Sequence, residues 1–335
     1  MARKPSVREI ARICEVSPST VSRVLNHTGS ISPETARRVM EVAREMGYVL
    51  PSERENTPPV VGIVHPHSNI NVMTQVEQRL EAQLAAEDHD VLYANYRVRQ
   101  GELVNDAIRR QMEHLLRAGV KALVLCVEDP EAISLPPLGI PVVLFNLERS
   151  DVRNSRYPYV SYDYLVGARL AADELLLKGC ERPIVLLNSH YTPGRDGRYE
   201  EFCQVFADAG HPIPRSHLVH STHTRSSFGE AHDAIRYLTA SRVDFDGVFA
   251  GSDWRAYGAL TALRELGIDV PDKVKVIGFD GSEIARHNSQ PITSIVCDPT
   301  ALAAQLKDMV MAGLTGAEST DRAIVPVQLF QGETT

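Results

Sequence analysis

From Val60 onward, short apolar runs alternate with stretches of helical periodicity, and this alternation limits the fold more than any other feature. The runs include VVGIVHP, ALVLCVE, IPVVLFN and VKVIGFDG, which are short enough to be strands. Helical stretches such as 74–87, 103–118 and 165–179 lie between them. Strands that alternate with helices favour parallel sheets covered by helices on both faces. We therefore predict an α/β body of two doubly wound lobes, in which ligands bind at the carboxyl ends of strands.

The first 50 residues differ from the rest of the chain in charge. They contain eight Lys or Arg against five Glu, a net charge of +3. Since the whole chain carries −8, the other 285 residues carry −11, so a small basic head precedes a larger acidic body. The five cysteines are scattered, which argues against a zinc site and favours free thiols in a reducing cytosol. No apolar run is long enough to span a membrane, and the predicted location is cytoplasmic.

Three short helices are predicted in the head, each with its own start signal. Ser6-Val-Arg-Glu9 is a capping box, in which the serine hydroxyl accepts a helical N–H and the glutamate reaches back to the cap. Ser17-Pro18 and Ser32-Pro33 each place a cap before a proline at the first helical position. The first two helices are only a few residues apart, which is typical of a helix-turn-helix.

The start of the second helix is free of bulky and acidic side chains, as the end that enters a major groove would be. Ser17 and Thr20 can donate hydrogen bonds to phosphates, while Ser19 and Arg23 point outward towards base edges. A plain three-helix bundle with ordinary caps explains the same pattern. The residues alone therefore leave DNA binding and a purely structural bundle both open.

The stretch TVSRVLN, preceded by VS and followed by SPETARRV and GY, resembles the DNA-binding head of the lac repressor family. The resemblance covers residues 5–48 and implies that double-stranded operator DNA is a partner. By this resemblance the backbone-positioning residues are Ser17, Thr20 and Asn26, and the base-reading residues are Pro18, Ser19 and Arg23. Glu15 stands where the family usually has Gly. A positive φ there would cost Glu roughly 1 kcal/mol, which the fold can tolerate.

The body resembles the effector domain of the same family over residues 60–330, a fold shared with periplasmic sugar-binding proteins. The similar stretches are VSYDYLVGARLAADELL, in which Tyr164 replaces Asn, RYEEF, AGSDWRAYGALTAL, VIGFDGSE and QPITSI. The resemblance implies that the effector pocket is lined by Arg198, Ser252 and Asp280, with Asn146 on the other side. These donors and acceptors suit a small polyhydroxylated ligand.

Several side chains near this cleft have more than one interpretation. His65 and His67, together with Arg195 and Arg198, would suit a ligand with a carboxylate or phosphate, although loop histidines on a surface are the alternative. The predicted effector is therefore a sugar, a sugar acid or a sugar phosphate. We expect Asp163 and Asp253 to be helix caps. Trp254 is either a stacking surface for a sugar ring or a partly buried packing residue.

The known catalytic and nucleotide-binding motifs, including G-x-G-x-x-G, the P-loop, G-x-S-x-G and H-E-x-x-H, are absent from the sequence. We therefore predict no enzymatic activity, no cofactor and no metal site. The predicted function is a ligand-responsive transcription regulator, a repressor, that binds its operator as a homodimer without membrane contact. The alternative is a free-standing binding protein or enzyme whose head contacts another protein.

The predicted domains are a head at 1–48, a linker at 49–59 and a body at 60–335. The two lobes of the body are expected to exchange chain near 159–162, 288–293 and 318–323. The linker lacks the leucine-bearing hinge motif of the family, and its Pro58-Pro59 pair limits any helix to about one turn. Leu50 precedes a proline and is biased towards extended backbone. We expect the linker to be a flexible tether.

Overall fold

The computed structural model divides into two compact units, Met1–Pro59 and Val60–Thr335. The residues described are 6–25, 28, 31–48, 58–66, 71–98, 102–127, 133–135, 137–146, 155–187, 197–220 and 226–335, without the side chains of Asn71 and Asn146. The predictions for Asn26, His67, Arg195 and linker residues 49–57 lie outside the described residues.

Within residues 6–48, the described part of the head forms three helices that begin at the predicted caps. They are α1 (Val7–Cys14), α2 (Pro18–Leu25) and α3 (Pro33–Glu45). Ser6 Oγ accepts from Glu9 N at 3.3 Å, and Glu9 Oε2 accepts from Ser6 N at 2.9 Å. The predicted capping box is therefore confirmed, and local side-chain chemistry fixes where α1 begins.

The three helices share one apolar core, and a left-handed residue makes their close packing feasible. The buried residues are Ile10, Ala11, Cys14, Val21, Val24, Leu25, Val39 and Ala43. Glu15 follows α1 with φ 56° and ψ 38°, and its N–H donates to Ala11 O. The positive φ considered for Glu15 in the sequence analysis is therefore confirmed. This turn allows α2 to begin soon after α1 ends and to pack on the same core.

The described strands of the body form two six-stranded sheets, as the alternation predicts. The strands are β1 (Val60–Pro66), β2 (Asp90–Tyr96), β3 (Ala122–Cys126), β4 (Val142–Asn146), β5 (Tyr159–Tyr162), β6 (Pro183–Leu186), β7 (Leu218–Val219), β8 (Gly247–Ala250), β9 (Lys275–Asp280), β10 (Thr293–Cys297), β11 (Arg322–Val325) and β12 (Val327–Phe330). The first sheet has the order β11-β5-β4-β3-β1-β2, and the second has the order β12-β10-β9-β8-β6-β7. The described pairs are parallel except that β12 runs antiparallel to β10.

Helices cover the sheets and define two lobes. The helices of the body are α4 (Asn71–Ala85), α5 (Val104–Ala118), α6 (Tyr164–Leu177), α7 (Gly197–Asp208), α8 (Ser227–Ala240), α9 (Asp253–Glu265), α10 (Glu283–Arg286) and α11 (Pro299–Thr315). The first lobe contains the first sheet with α4, α5 and α11, and the second lobe contains the second sheet with α6 to α10. Among the helices of the described segments, none has the length and hydropathy needed to cross a lipid bilayer.

The described chain passes between the lobes at Asp163, at Asp298 and at Pro326. The first crossing adjoins the predicted segment 159–162. The other two lie later than the predicted 288–293 and 318–323. The reason is that β10 still pairs with β9 as far as Val296, and β11 pairs with β5 as far as Val325. Each crossing therefore occurs only after a strand has completed its pairing.

Candidate DNA-binding and effector sites

The start of α2 presents a linked group of hydroxyls to solvent. Ser17 Oγ accepts from Thr20 N at 3.0 Å and lies 2.7 Å from Ser19 Oγ and 2.8 Å from Thr20 Oγ1. Ser17, Pro18 and Ser19 are exposed, and Thr20 is half-buried. The helix has no acidic residue in its first turn. Hydroxyls and helical N–H groups at a helix start form a surface suited to phosphate oxygens.

Arg23 lies one turn further along α2, and its side chain is exposed. The opposite side of the helix carries Val21, Val24 and Leu25, which are buried in the head's core. The helix is therefore anchored by its apolar side while its polar side remains accessible. A guanidinium in this position can form the two parallel hydrogen bonds that read a guanine edge.

In the body, Arg198 lies in the first turn of α7 and is only 2% exposed. Its Cζ atom is 5.2 Å from the ring centroid of Tyr164, 4.8 Å from that of Tyr199 and 5.1 Å from that of Phe279. Tyr164 stacks on Phe279 with centroids 5.6 Å apart, and Arg198 Nη1 donates to Gly251 O at 3.4 Å. The guanidinium is therefore held by aromatic rings through cation–π contacts.

Asp280 is the last residue of β9, and its carboxyl belongs to the same electrostatic neighbourhood as Arg198. The side chain is half-buried, and the backbone φ is 106°. Burial and the charge of Asp253 raise the pKa of Asp280 well above its ordinary value, while the Arg198 cation opposes this effect. The structure thus brings together the two charged residues predicted for the effector pocket.

A cavity of about 450 Å³ opens beside Asp280, within the size range of small-molecule sites. It lies where α4 of the first lobe meets the ends of β9 and β10 and two of the lobe crossings. Its lining includes Val72, Gln75, Arg79, Asp280, Glu283, Arg286, Cys297, Asp298, Thr300, Pro326 and Gln328. Of the predicted effector residues whose side chains are described, only Asp280 lines it.

Ser252, and not Asp253, is the residue that caps α9. Ser252 is the N-cap of α9, and its Oγ accepts from Arg255 N at 3.4 Å. Asp253 was predicted to be the cap, and this prediction is wrong because the preceding hydroxyl takes that position. Asp163, by contrast, caps α6 as predicted, with Oδ1 accepting from Val166 N at 3.1 Å.

The Asp253 carboxylate instead binds two serines from other segments. Its Oδ2 accepts from Ser282 N at 2.6 Å and Ser282 Oγ at 2.8 Å, and its Oδ1 accepts from Ser294 Oγ at 2.5 Å. Asp253 is 1% exposed. Burial raises the pKa of Asp253 to about 6, although the serine donors favour the charged form.

His65 makes its described contacts inside the first lobe. Its Nδ1 lies 3.0 Å from Glu77 Oε1 on α4, and its ring stands edge-on to Tyr93 of β2, with centroids 6.2 Å apart. A carboxylate next to the imidazole does not favour an anionic ligand at the same atom. The side chain of Asn146, the remaining predicted effector residue, is outside the described set.

Two further aromatic residues bear on the site. Tyr164 is one of the three aromatic residues whose rings contact the Arg198 guanidinium. The only sign of this role in the sequence was that Tyr164 stands where the family pattern has Asn. Trp254 follows Asp253 and is 42% exposed, with its ring 6.3 Å from that of Tyr257. Its exposure is compatible with both interpretations of this residue, stacking and packing.

Two family descriptions match the chain, one for each compact unit. Residues 6–51 match "Bacterial regulatory proteins, lacI family", and residues 172–335 match "Periplasmic binding protein-like domain". The chain belongs to the lac repressor family. The first match spans the capped helix-turn-helix, and the second spans Arg198, Ser252 and Asp280. This lac repressor family member is a DNA-binding transcription regulator with a ligand-binding body.

Similarity to known proteins extends over nearly the whole chain. The sucrose operon repressor of Streptococcus mutans serotype c is 25% identical over 335 residues, which cover 97% of this chain and 98% of that protein. The transcriptional regulator CelR–cellobiose complex matches with a TM-score of 0.70 and 23% identity, over 99% of this chain and 100% of the other. The lac repressor dimer bound to operator and the anti-inducer ONPF matches with a TM-score of 0.71 and 17% identity, over 99% of each chain. The two structural matches show that the fold is shared.

Proposed function

We propose that this lac repressor family member is a repressor that binds operator DNA as a homodimer and responds to a small neutral saccharide. The observation that carries the proposal is the exposed polar start of α2 on a capped helix-turn-helix that matches the family over residues 6–51. The similar proteins whose names include a sugar, the sucrose operon repressor and the CelR–cellobiose complex, support a saccharide effector.

On DNA, α2 occupies the major groove in our proposal. Base reading is assigned to Pro18, Ser19 and Arg23, and contacts to the phosphate backbone are assigned to Ser17, Thr20 and Asn26. Pro18 has no side-chain donor, so it contributes apolar contact alone. Arg23 is the strongest reader because a bidentate guanidinium contact discriminates against a wrong base by about 1–3 kcal/mol.

In the body, Arg198 and Asp280 are proposed to hold the effector, with Ser252, His65 and Asn146 completing the pocket. An aspartate can accept hydrogen bonds from two ligand hydroxyls, and an arginine donates to ring or hydroxyl oxygens. Two carboxylates, Asp253 and Asp280, share the electrostatic neighbourhood of Arg198. The adjoining cavity adds as many carboxylates as guanidinium groups, namely Glu283 and Asp298 with Arg79 and Arg286. This balance favours a neutral saccharide over a sugar acid or sugar phosphate, and the pairing of His65 with Glu77 favours it too.

A second copy of the chain is the proposed partner of the body. The strand β2 lies at the edge of the first sheet, and its Leu92 and Tyr93 are each 40% exposed. Edge strands with exposed apolar side chains are usually covered. A two-fold dimer also matches a near-palindromic operator. The protein would act in the cytoplasm, where its operator is, and it would bind its ligand without transforming it.

The test starts with the full-length protein and a randomised DNA library. Repeated selection of bound DNA is expected to yield a near-palindromic site, and sedimentation is expected to show a dimer on it. Neutral mono- and disaccharides, including sucrose and cellobiose, are then titrated against the complex by fluorescence anisotropy. At least one saccharide is expected to change operator affinity. The absence of any selected sequence would contradict the DNA-binding proposal, and a response limited to sugar acids or phosphates would contradict the neutral effector.

A further inference from the structure

We propose that Asp253 is a positioning residue of the effector site, whose buried carboxylate holds the turn that presents Asp280 to the ligand. The inference rests on the proposed role of Asp280 in effector binding. Asp253 would act on Asp280 in two ways, by holding the backbone of the turn and by its charge, without contacting the ligand itself. Ordinary helix capping, the role expected of this aspartate, belongs to Ser252 instead.

The first support is geometric, since one carboxylate ties together three separate segments. Asp253 lies in α9, Ser282 follows the turn after β9, and Ser294 lies in β10. Ser294 Oγ also accepts from Gly281 N at 3.2 Å, so the turn is held at two successive residues. Ser282 and Ser294 are 3% and 0% exposed. Water cannot replace the carboxylate at donors buried this deeply, so the bonds are needed to satisfy them.

The second support is the backbone conformation of the turn itself. Asp280 has φ 106° and Gly281 has φ 68°, two consecutive residues at positive φ. An aspartate at φ 106° is sterically disfavoured, and such a conformation persists only where its surroundings impose it. Gly281 has no alternative, because a Cβ there would lie 2.8 Å from Val296 Cα. The bonds to Asp253 are the restraint on the residues that follow Asp280.

The third support is the space that β9 leaves for the carboxylate. A Cβ on Gly278 would lie 2.4 Å from Asp253 Oδ1, a distance that real Cβ atoms do not show. Only glycine at this position allows the side chain of Asp253 to reach Ser282 and Ser294. Gly278 therefore leaves the space in β9 that the Asp253 carboxylate occupies.

Charge links the two aspartates as well. Several helices and strands carry titratable groups that interact electrostatically with Asp280. These groups are Tyr162 on β5, Tyr164 on α6, Arg198 on α7, Asp253 on α9 and Cys297 on β10. The charged residues that line the adjoining cavity are Arg79, Glu283, Arg286 and Asp298.

Burial raises the pKa of Tyr162, Tyr164 and Cys297, so these groups are neutral near pH 7. The groups whose charges act on Asp280 are then Asp253, which raises its pKa, and Arg198, which lowers it. Because the charge of Asp253 raises the pKa of Asp280, its removal should lower that pKa. Asp253 would therefore determine both the orientation of the Asp280 side chain and the pKa of its carboxyl.

The first experiment is a pH profile of the full-length protein as wild type, Asp253→Asn, Asp280→Asn and the double variant. Trp254, the single tryptophan, reports thermal unfolding of the body by fluorescence. A native pKa raised above the unfolded value means that stability falls as pH rises through the native pKa. In the wild-type background Asp280→Asn should remove part of the fall in Tm that accompanies a rise in pH above the unfolded pKa of aspartate, about 3.9. In the Asp253→Asn background the same change should remove less than about half as much, because the two sites are coupled.

A matched control and a contrary result make this profile decisive. Asp163→Asn changes the charge equally and keeps a good helix cap, so it should leave the effect of Asp280→Asn unaltered. If Asp280→Asn changes the profile equally in the wild-type and Asp253→Asn backgrounds, the proposed link between the two carboxylates is wrong. A purely structural role for Asp253 would not make the two pH effects non-additive.

The second experiment follows hydrogen exchange in the peptide that covers residues 278–286. Asp253→Ala removes the acceptor of Ser282 N–H, so exchange there should become faster by at least about tenfold, whereas β6 should be unaffected. If Asp253→Ala does not fold, Ser294→Ala serves instead. It removes one donor to Asp253 and the acceptor of Gly281 N–H but leaves the carboxylate and its bonds to Ser282, and it should accelerate exchange in the same peptide to a lesser degree. Wild-type exchange in whichever of these variants folds would overturn the proposed clamp. Neither readout needs DNA or ligand, so a failure of the proposed function would appear separately, as missing operator selection or saccharide response.

Discussion

The head and the body hold their proposed functional side chains in opposite ways. In the head, Ser19 and Arg23 are exposed, and the supporting hydrogen bonds lie within one helical turn. In the body, Arg198 is 2% exposed and is held by aromatic rings from α6, α7 and β9. The recognition residues of the head can therefore be replaced without disturbing its core. Arg198 in the body is buried among core aromatic rings, so binding and stability should change together when it is replaced.

The largest effect should come from Asp280→Ala. We expect the response to any saccharide that acts on the wild-type protein to weaken by at least about 100-fold, because the carboxyl that accepts hydrogen bonds from ligand hydroxyls is lost. Operator affinity without ligand should remain. Trp254 fluorescence measures the response to saccharide, and anisotropy of labelled operator measures operator affinity, on the same sample. Ser252→Ala, which removes a neutral hydroxyl already used as a cap, should weaken the response less. A variant that responds at wild-type concentrations would exclude Asp280 from the site.

The same carboxylate-to-amide change should have unequal effects in the two regions. Asp246 in the body accepts from Cys180 Sγ at 2.9 Å and from Arg182 N at 2.8 Å. Asp246→Asn should lower the free energy of unfolding by about 1.5–3 kcal/mol, since these are hydrogen bonds to a charged group. Glu9→Gln in the head should change it by less than about 0.5 kcal/mol, because glutamine also completes a capping box. Denaturant unfolding checks both, and equal losses would break the comparison.

The pH dependence of Asp246 has a defined sign. Burial raises its pKa, but the Cys180 thiol, backbone N–H groups of Arg182 and Glu181, and the Arg182 cation together bring it below the ordinary value. A lowered native pKa gives stability that is complete above the unfolded pKa and is lost as the pH falls. The deficit of Asp246→Asn should thus be largest near neutrality and shrink below about pH 4. A deficit that grows on acidification would contradict this assignment.

In the head, Arg23→Ala should reduce discrimination between the operator and unrelated DNA by about 1–3 kcal/mol. The thermal stability of the protein should not change, because the side chain is exposed. Arg12→Ala removes the same charge from α1 and should weaken binding to all sequences about equally, with discrimination retained. Competition binding with both DNAs measures the ratio. Unchanged operator preference in Arg23→Ala would refute its role as a base reader.

A small effect of opposite sign is expected for Glu15→Gly. Glycine adopts φ 56° without a Cβ clash, so the head should gain up to about 1 kcal/mol. Slower amide exchange in α2 would report the gain, while the unfolding transition at Trp254 should not move. Faster exchange in α2 would show that the greater backbone entropy of the unfolded glycine variant outweighs the relief of strain.

The sequence was most informative where contacts are local. The capping box at Ser6 follows from residues within a few positions of each other, and the left-handed conformation of Glu15 was suggested by the glycine that the family usually has there. The role of Asp253 could not be predicted in this way, because its partners Ser282 and Ser294 are 29 and 41 residues distant in the chain. The capping prediction failed there since Ser252 supplies a competing hydroxyl. Tyr164 was visible only as a departure from the family pattern, which gave no hint of its stacking on Phe279.

The lobe crossings have a consequence for biosynthesis. The head's three helices are complete by Glu45 and contact one another over short sequence distances, so this unit can fold as soon as it leaves the ribosome. The first sheet, in contrast, receives its edge strand β11 only after Val325 has been made, although β5, the neighbour of β11, ends at Tyr162. During synthesis of the intervening residues, the growing chain carries an unpaired β5 edge, exposed to misassembly. Slowing translation between the codons of Tyr162 and Arg322 should therefore reduce yield more than slowing it within the head.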